Sequence, residues 1–320
     1  MTSASPSIQA SATGVTPNHF ISLSDLGSQG LIQVLDHADH FKRTRGDLSQ
    51  RALLAGKSIA LVFEKASTRT RLSLEVAVSE LGATPIVLSS NTSQMGRGEP
   101  IEDTARVLSR MVHAITLRTF GQSTLVNLAR YSNVPVLNAL TDEGHPMQLL
   151  ADLQTVRAQF GTLSGLKYAW IGDGNNMANS WIEAAGLLGF ELTLACPEGH
   201  DPDATFIEQA RQRGGTITVV RDPKAACKGA HVVNTDVFAS MGQEDEAEAR
   251  LRTFSGYQVT AELMAVADPS AIFLHCLPAH RGEEVSAEVI EGAQSRVWDQ
   301  AEARLHTSKA ILCWSLNVQP

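Results

Sequence analysis

The feature that most restricts what this chain can become is a regular alternation. Short β-branched or apolar runs are followed by helical patterns along nearly all of its 320 residues. A strand followed by a helix returns the chain to the end from which the strand set out, so the pattern calls for parallel sheets flanked by helices. Candidate strands form two series. The first is Ser58 to Phe63, Pro85 to Leu88, Ala114 to Leu117 and Val134 to Leu137; the second is Tyr168 to Ile171, Leu192 to Cys196, Ile217 to Val220, His231 to Asn234 and Ile272 to Cys276. Between them lies one long helical pattern, Pro146 to Phe160, stopped by Gly161. The expected fold is therefore α/β with two domains, residues 18–150 and 151–300. A last helical pattern, Gln300 to Ser315, would return within residues 301–320 to the first domain, and residues 1–17 would form a flexible tail.

Composition narrows the function. With 43% hydrophobic and 19% charged residues the chain is globular in character, and no apolar run is long enough to span a bilayer. Its first basic residue is Lys42, and residues 1–17 are rich in Ser, Ala and Thr, so neither a secretory signal nor an Arg-rich presequence is expected, and the cytoplasm is the default location. Cys196, Cys227, Cys276 and Cys313 form no CxxC pair, which argues against a disulfide framework and a zinc site. A net charge of −8 disfavours a nucleic acid or an anionic membrane as partner. The charge is unevenly divided: residues 1–150 carry 13 basic and 12 acidic side chains, residues 151–320 carry 13 and 22. An anion would prefer the first half and a cation the second.

The turn Ser67-Thr68-Arg69-Thr70 falls between the buried run Ile59 to Phe63 and a helical pattern from Arg71 to Leu81. Anions bind at such a turn, because the first N–H groups of a helix lack intrahelical partners and the helix dipole favours negative charge. Three hydroxyls and the Arg69 guanidinium fork add donors. The competing reading is an ordinary helix cap with arginines on the solvent face. No GxxxxGK[ST] loop is present to suggest a nucleoside-triphosphate site.

Ser67-Thr68-Arg69-Thr70-Arg71 resembles the donor-phosphate signature shared by ornithine and aspartate carbamoyltransferases. His145-Pro146-Met147-Gln148 is similar to that family's HPxQ, Asp236 with Ser240-Met241-Gly242 to its DxxxSMG, and His275-Cys276-Leu277-Pro278 to its HCLP, in the family's order. The resemblance implies a carbamoyl-phosphate-binding first domain, an amino-acid-binding second domain, and transfer of a carbamoyl group from carbamoyl phosphate to the side-chain amine of L-ornithine without metal or cofactor. It also implies a homotrimer or a multiple of trimers, and a link to arginine biosynthesis, although one site serves both directions of the reaction.

Site residues follow from the same resemblance. Ser67, Thr68, Arg69, Thr70 and Arg118 would hold the phosphate, and Thr70, Arg118 and His145 the carbonyl oxygen. Gln148 and the Leu277 backbone carbonyl would accept from the carbamoyl NH₂, and Arg304 would reach the donor. Gln94, in the loop Ser89 to Gly98, would extend into a neighbouring subunit's site. Asp236 and Cys276 would serve the reacting amine, Cys276 also bordering the donor, while Asn176 would hold the acceptor's carboxylate, and Asp236, Ser240 and the Met241 backbone its amino group. Arg118, His145, Asp236 and Cys276 are the catalytic candidates.

An ornithine side-chain amine resembles that of lysine, with a pKa of about 10.4, so near neutral pH only about one molecule in a thousand is nucleophilic, a deficit of about 4 kcal/mol. A site for this reaction must select the neutral amine or remove its proton, and Asp236 with Cys276 are the groups offered. In the family pattern that this sequence resembles, aspartate as acceptor would go with proline at the position of Cys276, and putrescine has no carboxylate for a Ser-Met-Gly turn to serve. Two further readings remain at this stage. One is a dehydrogenase, since Gly172-Asp173-Gly174 joins a strand to a helix, although Met177 stands where GxGxxG has its third glycine. The other is a non-catalytic binding subunit of the same fold.

Overall fold

The computed structural model describes residues 17–89, 98–239 and 244–320. In chain order the helices and strands are α1 (Gly27–Arg43), β1 (Ser58–Phe63), α2 (Arg69–Glu80), β2 (Thr84–Ser89), α3 (Ile101–Leu108), β3 (Ala114–Arg118), α4 (Gln122–Tyr131), β4 (Val136–Leu140) and α5 (Pro146–Phe160). They continue with β5 (Lys167–Ile171), α6 (Asn176–Leu188), β6 (Glu191–Ala195), α7 (Ala204–Gln212), β7 (Thr216–Val220), α8 (Pro223–Cys227), β8 (Val232–Thr235), α9 (Ala247–Thr253), α10 (Ala261–Met264), β9 (Ile272–His275), α11 (Ala287–Ile290) and α12 (Val297–Ser315). Every expected strand is present, in two parallel sheets, and the chain divides into two compact units. The first holds residues 36–142 with 1–25 and 305–320; the second holds 143–304 with 26–35.

The first unit is built on a sheet of order β2-β1-β3-β4, all parallel. Its central strands are buried along almost their whole length, β1 almost wholly apolar and β3 apolar apart from Thr116 and the terminal Arg118, as strands covered on both faces must be. Pro85 sits in β2, an edge strand, where its missing N–H costs no ladder bond. β4 begins at Val136, later than the expected Val134, because Pro135 cannot donate to the ladder and contributes only its carbonyl, to Ile115 N–H at 2.9 Å. Beyond β4, Phe20 bridges to Leu137, and His19 Nδ1 accepts from Val136 N–H at 3.1 Å. Burial pushes His19 down to about 4, which keeps the imidazole neutral and able to accept.

The end of α12 completes this unit, as the sequence suggests. Lys309 is fully buried there, its Nζ donating to Gln50 Oε1 at 2.8 Å and to the Glu80 carboxylate, with the Phe41 ring 5.7 Å away. Burial tends to raise the Glu80 carboxyl, but Lys309 and Arg45 together hold it below its ordinary value.

The second unit has a sheet of order β7-β6-β5-β8-β9, again all parallel. One face packs Ala169, Ile171, Val233 and Phe273 against Phe238, Phe254 and Ile290. α5 opens with Pro146 at its first turn, where no N–H is needed, and closes at Gly161 in the left-handed conformation, φ 72°.

Truncating the buried cation tests the closure of the first unit. Lys309→Ala strands Gln50 Oε1 and leaves the half-exposed Glu80 with Arg45 alone, and should lower unfolding free energy in urea by about 2 to 3 kcal/mol.

Candidate active site

Each sheet has one place where its strand order reverses direction. In the first unit the chain winds from β1 to β2 on one side and through β3 to β4 on the other, so the loops after β1 and β3 part and leave a crevice at the carboxyl ends of those strands. The phosphate-binding candidates stand there. Phe63 pairs with Arg118, and Glu64 N–H donates to the Arg118 carbonyl at 2.9 Å, which sets the Ser67 to Thr70 turn beside the strand end that carries Arg118. α2 starts at Arg69, two residues before the expected Arg71. Its first intrahelical bond from this end is Leu72 N–H to Thr68 O at 2.9 Å, so the N–H groups of Arg69, Thr70 and Arg71 precede the helical ladder. Thr68 holds the capping position but its side chain makes no cap bond, so the capping alternative is not what the hydroxyl does. Ser67 and Arg69 are half-buried, Thr70 and Arg118 buried, and Thr68 exposed, while Arg71 turns out to Glu75 at 2.7 Å. Lys65, absent from the motifs, adds a buried cation to this loop, 2.5 Å from Asp142 and over the Phe120 ring at 4.1 Å.

In the second unit the reversal lies between β5 and β8, and the loops after Ile171 and Thr235 hold the amine-side candidates. Asp236 is 8% exposed and anchored on three sides: Cys276 Sγ donates to Oδ1 at 3.1 Å, Val237 N–H to the same oxygen at 2.8 Å, and Asn175 Nδ2 to Oδ2 at 3.1 Å. Cys276 Sγ is the donor in this contact and Asp236 Oδ1 its acceptor. Asn175 is a site residue the motif reading missed in favour of its neighbour Asn176, the first residue of α6. Its Oδ1 caps that helix by accepting from Met177 and Ala178 N–H, which aims Nδ2 at Asp236. The signal was available, as an Asn in a strand-to-helix loop.

His145 is the N-cap of α5, buried, its backbone N–H donating to Ser180 Oγ at 2.8 Å. Gln148, one turn on, has both ends of its carboxamide engaged: Oε1 accepts from Arg304 and Nε2 donates to Asp152 at 2.8 Å. Leu277 has φ 60°, uncommon for a branched side chain, and its N–H donates to His275 Nδ1 at 2.9 Å. Gln94, Ser240 and Met241 lie outside the described residues.

The glycine loop is committed to packing. A Cβ on Gly174 would lie 2.2 Å from the Pro202 nitrogen and 2.3 Å from the Asp201 carbonyl carbon, and Gly174 N–H already donates to His200 O at 2.9 Å. The close approach that a dinucleotide pyrophosphate needs is taken by the protein's own backbone, which removes the dehydrogenase reading.

Two parallel sheets, each with its polar side chains gathered at the reversal of strand order, one cationic and one built on a carboxylate, describe a two-substrate α/β transferase. Residues 18–158 match the family model for the aspartate/ornithine carbamoyltransferase carbamoyl-P binding domain, and residues 164–315 that for the Asp/Orn binding domain. The chain belongs to the aspartate/ornithine carbamoyltransferase family. Among its relatives, the ornithine carbamoyltransferase of Geobacter metallireducens is 53% identical over 295 residues, 92% of this chain and 97% of that one. The solved ornithine carbamoyltransferase from Pyrococcus furiosus superposes with a TM-score of 0.89 at 44% identity, covering 93% of this chain and 96% of its own. That from Thermus thermophilus gives 0.86 at 44%, covering 94% and 100%.

Asp152 carries a testable electrostatic signature. It is fully buried, and burial pushes its carboxyl up to about 7 from 3.8, against the pull of Gln300, Gln148 and Arg304. The folded state therefore holds a proton that the unfolded chain has released. The associated stability is complete below about pH 4 and is lost as pH rises through about 7. Asp152→Asn, neutral throughout, should shrink the fall in urea-unfolding free energy between pH 5 and pH 8 by about 2 to 3 kcal/mol relative to wild type.

Proposed function

We propose that this protein is an ornithine carbamoyltransferase, converting carbamoyl phosphate and L-ornithine to L-citrulline and phosphate. The observation that carries this reading is the Asp236–Cys276 pair at 3.1 Å, set at the sheet reversal of a unit whose family pattern has proline at the cysteine position when aspartate is the acceptor. A carboxylate held by three donors suits a cationic amine, attracting it and then taking up its proton. Cys276, as a thiol, borders the amine and attacks nothing, since the phosphate leaving group already activates the donor.

In this mechanism Ser67, Thr68, Arg69, Thr70 and Arg118 bind the phosphate through side chains and the first N–H groups of α2. Thr70, Arg118 and His145 stabilise the carbonyl oxygen as it gains charge. Gln148 Oε1 and the Leu277 carbonyl accept from the carbamoyl NH₂, and Arg304 steadies Gln148. Asp236 takes the first proton of the cationic amine, the freed nitrogen lone pair attacks the carbamoyl carbon, the carbon–oxygen bond to phosphate breaks, and the second amine proton leaves on the departing phosphate. Asn176, Ser240 and Met241 hold the α-substituents of ornithine, with Asn175 steadying Asp236. The two half-sites fill in order, and closure expels water from an unstable donor.

We further propose a cytoplasmic homotrimer with Gln94 supplied to a neighbouring subunit, acting in arginine biosynthesis. The exposed apolar side chains Leu72, Met111 and Phe120 of the first unit are surface that such an assembly could cover. No described helix is long and apolar enough to cross a membrane.

Isotope-labelled carbamoyl phosphate with ornithine should give citrulline without added nucleotide or metal, while aspartate, putrescine and acetylated ornithine should not be carbamoylated at comparable rates; absence of turnover would favour the binding-subunit reading. Arg69→Ala should raise KM for carbamoyl phosphate about 100-fold, and Asp236→Ala should lower kcat/KM for ornithine at least as much. If both variants kept wild-type constants, the assignment of the two half-sites would be wrong.

A further inference from the structure

A carboxamide can turn end for end without changing shape, so a glutamine that must present its oxygen to a ligand needs something to forbid the reversed orientation. Gln148 is such a glutamine in the function proposed above. Asp152, one turn along α5, is fully buried, and its Oδ1 accepts from Gln148 Nε2 at 2.8 Å and from Gln300 Nε2 at 2.6 Å. Its Oδ2 has no hydrogen-bond partner among the described residues.

Each glutamine is also committed at its other end. Gln148 Oε1 accepts from Arg304, and Gln300 Oε1 accepts from His275 N–H at 2.9 Å. Reversing Gln148 would set its oxygen against Asp152 and its NH₂ against a guanidinium; reversing Gln300 would set NH₂ against a backbone N–H. An acceptor at the centre therefore dictates which way two carboxamides point. The chain of bonds runs from Arg304 on α12 through Gln148 and Asp152 on α5, then Gln300 on α12, to His275 at the end of β9. His275 Nδ1 in turn accepts from the Leu277 N–H, two residues on.

We propose that Asp152 is a positioning residue for carbamoyl transfer, holding Gln148 Oε1 and, through Gln300 and His275, the Leu277 carbonyl in one frame as the paired acceptors of the carbamoyl NH₂. This rests on the transferase reading, in which those two oxygens face the donor. Asp152 touches no substrate. Its effect is to stop the donor's amide end from rotating while its carbon is attacked, and that is an effect on the transition state as much as on capture.

A double-mutant cycle tests this with carbamoyl phosphate and ornithine as substrates. Asp152→Leu should lower kcat/KM for carbamoyl phosphate about 10- to 100-fold, the range for loss of a buried hydrogen bond to an ionisable group, while KM for ornithine stays within about twofold. In a Gln148→Ala background the same substitution should cost at least about threefold less than it does in wild type, because only the Gln300 branch remains to be oriented. A merely structural role would cost the same in both backgrounds, and equal costs overturn the proposal. Asp152→Asn keeps the Oδ1 acceptor and should recover kcat/KM to within about fivefold of wild type; a folded Asn variant as slow as Asp152→Leu overturns it as well. Where Asp152→Leu shows no cooperative unfolding transition, Asp152→Ala takes its place in the cycle under the same criterion. A wild-type protein that makes no citrulline defeats the transferase reading, whereas an active wild type with additive costs defeats only the role of Asp152.

Discussion

Parallel strand pairing is the constraint on which both halves of this molecule depend. Each strand must be re-entered from the same end, so every crossover passes over a face of the sheet, and where the winding changes side two neighbouring loops diverge. In the first unit that happens between β1 and β3, in the second between β5 and β8. Backbone amides and short polar side chains can face a ligand there without breaking a ladder. The buried strands β1, β3, β5 and β8 supply the rigidity, and the loops at their carboxyl ends carry the candidate site residues.

The division of charge follows the division of labour. The first crevice offers Arg69, Arg118 and the leading amides of α2, a setting for an oxyanion. The second offers one buried carboxylate whose lone pairs are partly occupied by Cys276, Val237 and Asn175. Fixing Asp236 by three donors narrows its motion while leaving it acceptor capacity, as capture of a cation requires. The contrast with Asp152 is instructive. That carboxyl lies deeper and has only uncharged amides at bonding distance, so burial dominates and pushes it up.

Much of this was legible in the residues. The nine strands described were all anticipated because buried parallel strands read as continuous apolar runs bounded by glycines and polar turns. Their ends were less so: Pro135 displaced the start of β4, and the first turn of α2 absorbed Arg69 and Thr70, because helical geometry begins wherever the backbone allows and not where the apolar pattern does. Among candidate site residues, those in local motifs stand together in the sequence itself. Asn175, Lys65 and Asp152 do not, since their importance comes from partners 61, 77 and 148 positions away. Arg304 and Gln148, 156 positions apart, show the same limit from the other side: each was singled out through resemblance, but only the fold reveals that they bind each other.

The burial of Lys309 also has a consequence for how the protein is made. Residues 305–320 belong to the unit begun by residues 1–25 and 36–142, while 143–304 lie almost wholly in the other. A ribosome delivers the second unit complete before it delivers the helix that covers Gln50 and Glu80. The earlier-synthesised half must therefore wait, with part of its interior uncovered, through the translation of some 160 residues. The unit begun first is thus the last to be completed, and its uncovered interior is open to neighbouring chains until then.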